Sequence, residues 1–266
     1  MIIVGEKINT SLKGVTEAVI NRDEKFIQEL AKVQADGGAD YIDVNCGTLI
    51  NEEEVALPWL VRTVQQVVDL PCCIDSPNPK ALEAALKVHK GKALINSITN
   101  ENERFTQIGP LIGNYEAAIV ALVIDDAFGM PKDADTRVQV GKELIEKLKI
   151  MGIRESDIFI DPLIQPISSS GEMGNIALDT ILGIKESFQE VHFMCGLSNI
   201  SYGLPKRGLL NATFLSLCMM AGLDGAILDP GNKRMMAMIY ATEALLNKDK
   251  FAKKYLKAFR KGSLEF

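Results

Sequence analysis

The sequence predicts a single closed (β/α)8 barrel, and three observations carry that prediction. Eight short hydrophobic runs alternate with amphipathic segments along 266 residues, a normal length for one such barrel. Five of the runs end in polar caps: Tyr41-Ile42-Asp43-Val44-Asn45, Cys72-Cys73-Ile74-Asp75, Ala93-Leu94-Ile95-Asn96, Ile158-Phe159-Ile160-Asp161 and Met194-Cys195-Gly196-Leu197-Ser198-Asn199. An open doubly wound sheet would want a GxGxxG turn after its first strand, and Gly5-Glu6-Lys7-Ile8-Asn9 stands there instead.

The strand candidates are residues 2–5, 40–45, 71–75, 92–96, 117–124, 157–161, 191–197 and 225–229. After the first, Phe26, Leu30 and Val33 share a helical face, and Gly37-Gly38 supplies a stop. Trp59 falls inside a helical segment. Asn78-Pro79 opens the next helix with Pro at its first position, where the missing N–H costs nothing. Asp133 or Asp135 caps a helix carrying Val140, Leu144, Ile145 and Leu148. Helices near 206–221 and 232–247 complete the alternation. In the basic tail, Phe251, Tyr255 and Phe259 recur every four residues, which predicts a surface helix over about 248–261 that closes the fold. Residues 1–266 read as one domain.

Composition narrows the function classes. A net charge of −6 and a pI near 5.2 argue against nucleic acid, whose phosphates need concentrated basic charge. No apolar stretch reaches the roughly 18 residues of a membrane span. The first residues read as a strand without a basic leader, so the cytoplasm is the expected location. Cysteines at 46, 72, 73, 195 and 218 form no CxxC pair, which disfavours a disulfide framework. Adjacent Cys72 and Cys73 should face opposite sides of their strand. His89 and His192 lack an HxxH or HExxH partner, so no metal held by this chain is expected.

Side chains at the C-terminal ends of barrel strands converge on one cavity. Here that set is Glu6, Asn9, Asp43, Asn45, Asp75, Asn96, Asp161, Ser198 and Asn199. Carboxylates accept hydrogen bonds from amino and ring N–H groups, and amides both donate and accept. A flat heterocycle with a cyclic guanidine edge, such as a pterin, is a good complement. The competing reading is that each Asp or Asn only caps the helix that follows. Other barrel chemistries fit less well. A glycosidase wants paired acids and aromatic platforms, a Schiff-base aldolase wants a pocket lysine, for which Lys7 is the one strand-exit candidate, and a metal hydrolase wants strand-end histidines.

At these residues the chain resembles a known family. Gly5-Glu6-Lys7-Ile8-Asn9, Asp43-Val44-Asn45, Ile74-Asp75-Ser76, Ile95-Asn96-Ser97, Ile160-Asp161-Pro162-Leu163 and Gly196-Leu197-Ser198-Asn199-Ile200-Ser201 occur in order. So do Pro131-Lys132-Asp133-Ala134-Asp135-Thr136-Arg137 and Arg207…Asn211-Ala212-Thr213-Phe214-Leu215. The set resembles the pterin-binding methyltransferases that exchange a methyl group between tetrahydrofolate and a protein-bound corrinoid, and the likeness runs over nearly the whole chain. Dihydropteroate synthases are the nearest alternative. Their Asn-x-Thr-Pro-Asp-Ser-Phe signature is missing where Asn9-Thr10-Ser11-Leu12-Lys13 stands, and their Ser-Arg-Lys type seventh exit is replaced by Ser198-Asn199-Ile200. A non-catalytic folate-binding subunit is a further alternative.

The resemblance implies that Asp75, Asn96 and Asp161 hold the pterin by its pyrimidine edge and that Asn199 approaches N5, which carries the methyl group of 5-methyltetrahydrofolate. Gly196 and Ser198 would shape the floor, and Arg207 would lie near the folate. Tyr202 stands where the family often has Gln, which leaves the contact there open. An amide at N5 can offer its NH2 or its carbonyl, which suits both directions of transfer and gives Asn199 an electrophilic, orienting role. No Asp-x-His-x-x-Gly stretch is present, so the corrinoid should arrive on a separate protein docking over the barrel mouth. The family also implies a homodimer.

Overall fold

A computed structural model describes residues 1–264; Glu265 and Phe266, which the expected 1–266 domain includes, lie outside the described residues. The strands are β1 (Ile2–Asn9), β2 (Tyr41–Asn45), β3 (Cys72–Asp75), β4 (Leu94–Thr99), β5 (Ala118–Leu122), β6 (Ile158–Asp161), β7 (His192–Phe193) and β8 (Gly225–Leu228). All pair in parallel in the order β7-β6-β5-β4-β3-β2-β1-β8. Hydrogen bonds from Asp224 N to Phe193 O (3.2 Å) and from Ile227 N to Cys195 O (3.1 Å) cross the remaining seam. The (β/α)8 barrel is therefore closed.

The helices are α1 (Lys13–Ile20), α2 (Glu24–Asp36), α3 (Glu53–Gln65), α4 (Pro79–Leu86), α5 (Asn102–Asn114), α6 (Ala134–Ile150), α7 (Met173–Lys185), α8 (Arg207–Ala221), α9 (Lys233–Leu245) and α10 (Lys253–Arg260). The predicted caps are made. Asn78 Oδ1 accepts from Lys80 N at 2.9 Å, with Pro79 in the first turn. Asp133, not Asp135, caps α6 by accepting from Thr136 N at 2.8 Å. Val140, Leu144, Ile145 and Leu148 are all buried.

The strands are buried on both faces. Inside the barrel, Val4, Cys73, Leu94, Ala118, Val120, Phe159 and Met194 pack together. Between sheet and helices, Ile42, Val44, Cys72, Ile74 and Ile95 belong to a larger cluster. Cys72 and Cys73 thus face opposite sides, as a strand's period of two requires.

Four features depart from the sequence reading. Helix α1 was not foreseen. On α2 the buried residues are Ile27, Ala31 and Gln34, while Phe26 and Val33 of the expected face are exposed, Val33 by 61%. The reason is local: Gln34 Oε1 accepts from Lys7 N at 2.8 Å, and the space above Gly5 has no room for a Cβ, which would meet Gln34 Oε1 at 2.6 Å. That contact fixes the rotation of α2. Strand β7 is shorter than the run 191–197. Its neighbour β6 ends at Asp161, whose Oδ1 accepts from Leu163 N at 2.8 Å and turns the chain away, so β7 has little left to pair with. In the tail, α10 starts only at Lys253, after Phe251 and Ala252 in left-handed conformation. Phe251 and Phe259 are 75% and 66% exposed, and Ala258 is the buried residue of α10. Polar contacts orient this helix: Asp249 accepts from Lys254 N and Tyr255 N, each at 3.0 Å, and Lys254 Nζ pairs with the buried Glu243 at 3.1 Å.

Candidate active site at the barrel mouth

Alternation along each strand sorts side chains into inward and outward sets. Cys73, Leu94 and Phe159 lie inside the barrel, so Asp75, Asn96 and Asp161, each two residues further on, point inward one layer higher. Asn45 is level with Asp75, and Asp75 with Asn96. These exits form a continuous polar arc. Asn45 Nδ2 donates to Asp75 Oδ2 at 2.9 Å, and its Oδ1 accepts from Gly47 N at 3.0 Å. Asn9 is level with Asn45, and its Oδ1 accepts from Ser11 N at 2.8 Å, so local turn capping accounts for it. Asp161 combines the two readings: one oxygen caps the turn at Leu163, and the other has no partner among the described residues.

One layer lower, the ladder shifts register between Gly5 and Ile8, which sets Glu6 and Lys7 against Asp43. Lys7 Nζ pairs with Asp229 Oδ2 at 2.9 Å. That contact ties the lysine to the end of β8. Burial raises the Glu6 carboxyl above the usual carboxylate range, and the charge of Asp229 adds to it. Asp43 is raised well above that range by burial and then by the charge of Asp75. Asp75 is raised by burial against the hydrogen bond from Asn45. Burial pushes Asp161 up to about 6, opposed by the Leu163 N–H and the Arg137 charge.

On the far side, the exit of β7 becomes a short 3-10 turn, Leu197–Ser201. Ser198 and Asn199 are exposed on it, and the Asn199 amide has no hydrogen bond among the described residues. A Cβ at Gly196 would lie 3.6 Å from Asn199 Nδ2, an ordinary contact distance, so the backbone at Gly196 lies close beside the amide. Arg207, from the first turn of α8, donates to Ser198 O at 2.8 Å and to Ser201 Oγ at 3.1 Å. It braces the turn that presents Asn199. Tyr202 follows, 66% exposed on the rim, and its carbonyl accepts from Ser168 Oγ at 2.7 Å.

Several residues that build this site were not singled out from sequence. Asp229 ends the run Ala226-Ile227-Leu228 in the same pattern as the other exits, and that pattern could have found it. Arg104 donates to Ser97 O at 2.6 and 3.0 Å, to Ser76 O at 3.0 Å and to Pro77 O, tying together the loops that follow Asp75 and Asn96. The fully buried Arg137 donates to Pro131 O (3.0 Å), Pro162 O (3.0 Å), Leu163 O (2.8 Å) and Gln165 Oε1 (3.1 Å), fixing the loop after Asp161. Contacts of this kind leave no periodic trace. Among the described residues no group of three or more His, Cys, Asp or Glu is placed to hold a metal, and no helix is long and apolar enough to cross a membrane.

The strand exits thus bring Asn45, Asp75, Asn96 and Asp161 to the barrel mouth, with Asn199 exposed on the turn after β7. Residues 5–229 match the pterin binding enzyme family, and the chain belongs to that family. Its relatives narrow the class further. It is 38% identical over 266 residues to the methylcorrinoid:tetrahydrofolate methyltransferase of Eubacterium limosum, covering 99% of this chain and 98% of that protein. It is 33% identical over 241 residues to the methionine synthase of Mycobacterium tuberculosis, where 85% of this chain matches 20% of the longer protein. Among solved structures, a Clostridium difficile dihydropteroate synthase superposes with a TM-score of 0.69 at 19% identity, covering 92% of this chain and 96% of that one. A Xanthomonas albilineans dihydropteroate synthase does so at 0.69 and 16%, covering 93% of each. Those two share the fold.

Proposed function

We propose that this protein is a methyltransferase that moves a methyl group, in either direction, between N5 of tetrahydrofolate and the cobalt of a corrinoid held by a separate protein. The observation that carries this reading is the end-to-end match to a methylcorrinoid:tetrahydrofolate methyltransferase by a chain whose strand exits supply the polar arc. In this reading Asp75, Asn96 and Asp161 accept from and donate to the pyrimidine edge of the pterin. Asn45 orients Asp75, Gly196 and Ser198 shape the floor, Arg207 holds the turn, and Tyr202 lies on the rim the partner approaches. Glu6 and Asp43 form the layer beneath, and Asn9 caps the turn that follows β1. The free Asn199 amide supports its assignment to N5.

Transfer from methyltetrahydrofolate forms a carbon–cobalt bond with the Co(I) electron pair and breaks the bond between the methyl carbon and N5. N5 keeps the bonding pair, so it needs a proton or a hydrogen bond to offset the negative charge it gains as it leaves. Transfer toward tetrahydrofolate needs the N5 lone pair free to attack the methyl carbon. Asn199 can turn its carbonyl or its NH2 toward N5, and a hydrogen bond that strengthens only in the transition state lowers the barrier. The remaining contribution is alignment of donor, methyl and acceptor in one line. Proposed with this reading are a cytoplasmic location and a homodimer; exposed Leu209, Leu217 and Met220 along one side of α8 support the latter.

The test is spectral. With tetrahydrofolate and a methylated corrinoid protein, the protein should make the Co(I) band appear. If no band develops while a pterin pyrophosphate and 4-aminobenzoate are condensed instead, a dihydropteroate synthase reading replaces this one.

A further inference from the structure

Beneath the arc of Asn45, Asp75 and Asn96, β2 contributes Asp43 to the barrel interior, level with Cys73 of β3. Asp43 is only 3% exposed, and its Oδ1 has no hydrogen-bond partner among the described residues. The titratable groups that act on it are Asp75 and Cys73 from β3 and Glu6 from β1, while Lys7, the neighbouring cation on β1, pairs with Asp229 at 2.9 Å. A carboxylate there would have two acids for company and the Cys73 thiol as a donor, an unfavourable place for a charge. Asp75 is situated differently. Asn45 Nδ2 donates to it at 2.9 Å, the Arg104 charge favours its ionised form against the burial and the Glu53 charge that raise it, and it is partly open to solvent. Neighbouring carboxyls titrate as a pair, and these surroundings decide which member keeps the proton.

We propose that Asp43 is a positioning residue that carries the pair's single proton at neutral pH, leaving Asp75 as the one anion presented to the ring. Naming that ring as folate rests on the function proposed above; the proton on Asp43 does not. The direction in which burial and the Asp75 charge move Asp43 agrees with this placement. A proton on Oδ1 also converts an orphaned buried acceptor into a donor. One charge at one position matches a neutral ring with N–H groups along one edge. Two charges would favour a protonated ring, and none would leave those donors unpaired.

Infrared spectroscopy of the full chain without ligand tests the proton directly. At neutral pH the parent should show the carbonyl stretch of a protonated carboxylic acid. Asp43→Asn should lose that band, and Asp75→Asn should keep it. A band lost in Asp75→Asn, or unchanged in Asp43→Asn, overturns the proposal; because no ligand is present, either result stands whether or not the protein transfers methyl groups. The amide also mimics the neutral acid, so Asp43→Asn should hold the tetrahydrofolate dissociation constant within about threefold, whereas a loss beyond about tenfold would mean that Asp43 acts as an anion. If Asp43→Asn does not fold, Asp43→Ser, which also removes the carboxyl, should lose the band in its place, and a band that persists there overturns the proposal.

Discussion

In the proposed function Asp75 and Asp161 do different work from Asn199, and single substitutions should separate them. Replacing either acid by Ala leaves ring N–H donors unpaired in a buried site, which costs about 1–3 kcal/mol; tetrahydrofolate affinity measured by calorimetry should fall accordingly, by about tenfold or more. Asp161 also carries a pH signature. Its folded value is raised to about 6 from an unfolded value near 3.9, so the folded state holds the proton more tightly. Its contribution to stability is then fully present below about pH 4 and is lost as the pH rises through about 6. Asp161→Asn should therefore melt higher than the parent at pH 8, with the difference shrinking toward pH 4; a difference that does not change with pH contradicts the assignment. The inward acids were legible because each ends a hydrophobic run. Their protonation was not, since it depends on which neighbours the barrel brings across from other strands.

At the level of elements, the arc depends on loops held by arginines from the following helices. Arg137 on α6 meets three backbone carbonyls and Gln165. Arg137→Met should orphan those acceptors and destabilise the protein by at least about 3 kcal/mol, read from denaturant midpoints. A cost below about 1 kcal/mol would show that the β6 loop holds itself. Turn and cap chemistry was readable in sequence where the partner is local, as at Asn78 and Asp133. The rotation of α2 was not, because it is set by Gln34 reaching a backbone N–H on β1. Likewise the aromatic spacing in the tail was real, but ion pairs and Asp249 orient α10, and the aromatics stay largely exposed.

At the scale of the whole molecule, parallel pairing brings residues from 6 to 229 to one mouth, with the β7 exit four strands on from β3 around the barrel. Closure of the barrel followed from the count of strand–helix units, and the family from the order of the strand-exit motifs. The central claim is that this mouth grips the pterin edge through the arc and acts on N5 through Asn199. Single-turnover methyl transfer by Asn199→Ala, with tetrahydrofolate saturating, tests it most directly. The account predicts a rate at least about tenfold below the parent, about 1.4 kcal/mol of barrier, with much of the tetrahydrofolate affinity retained; a rate within about threefold of the parent would contradict it.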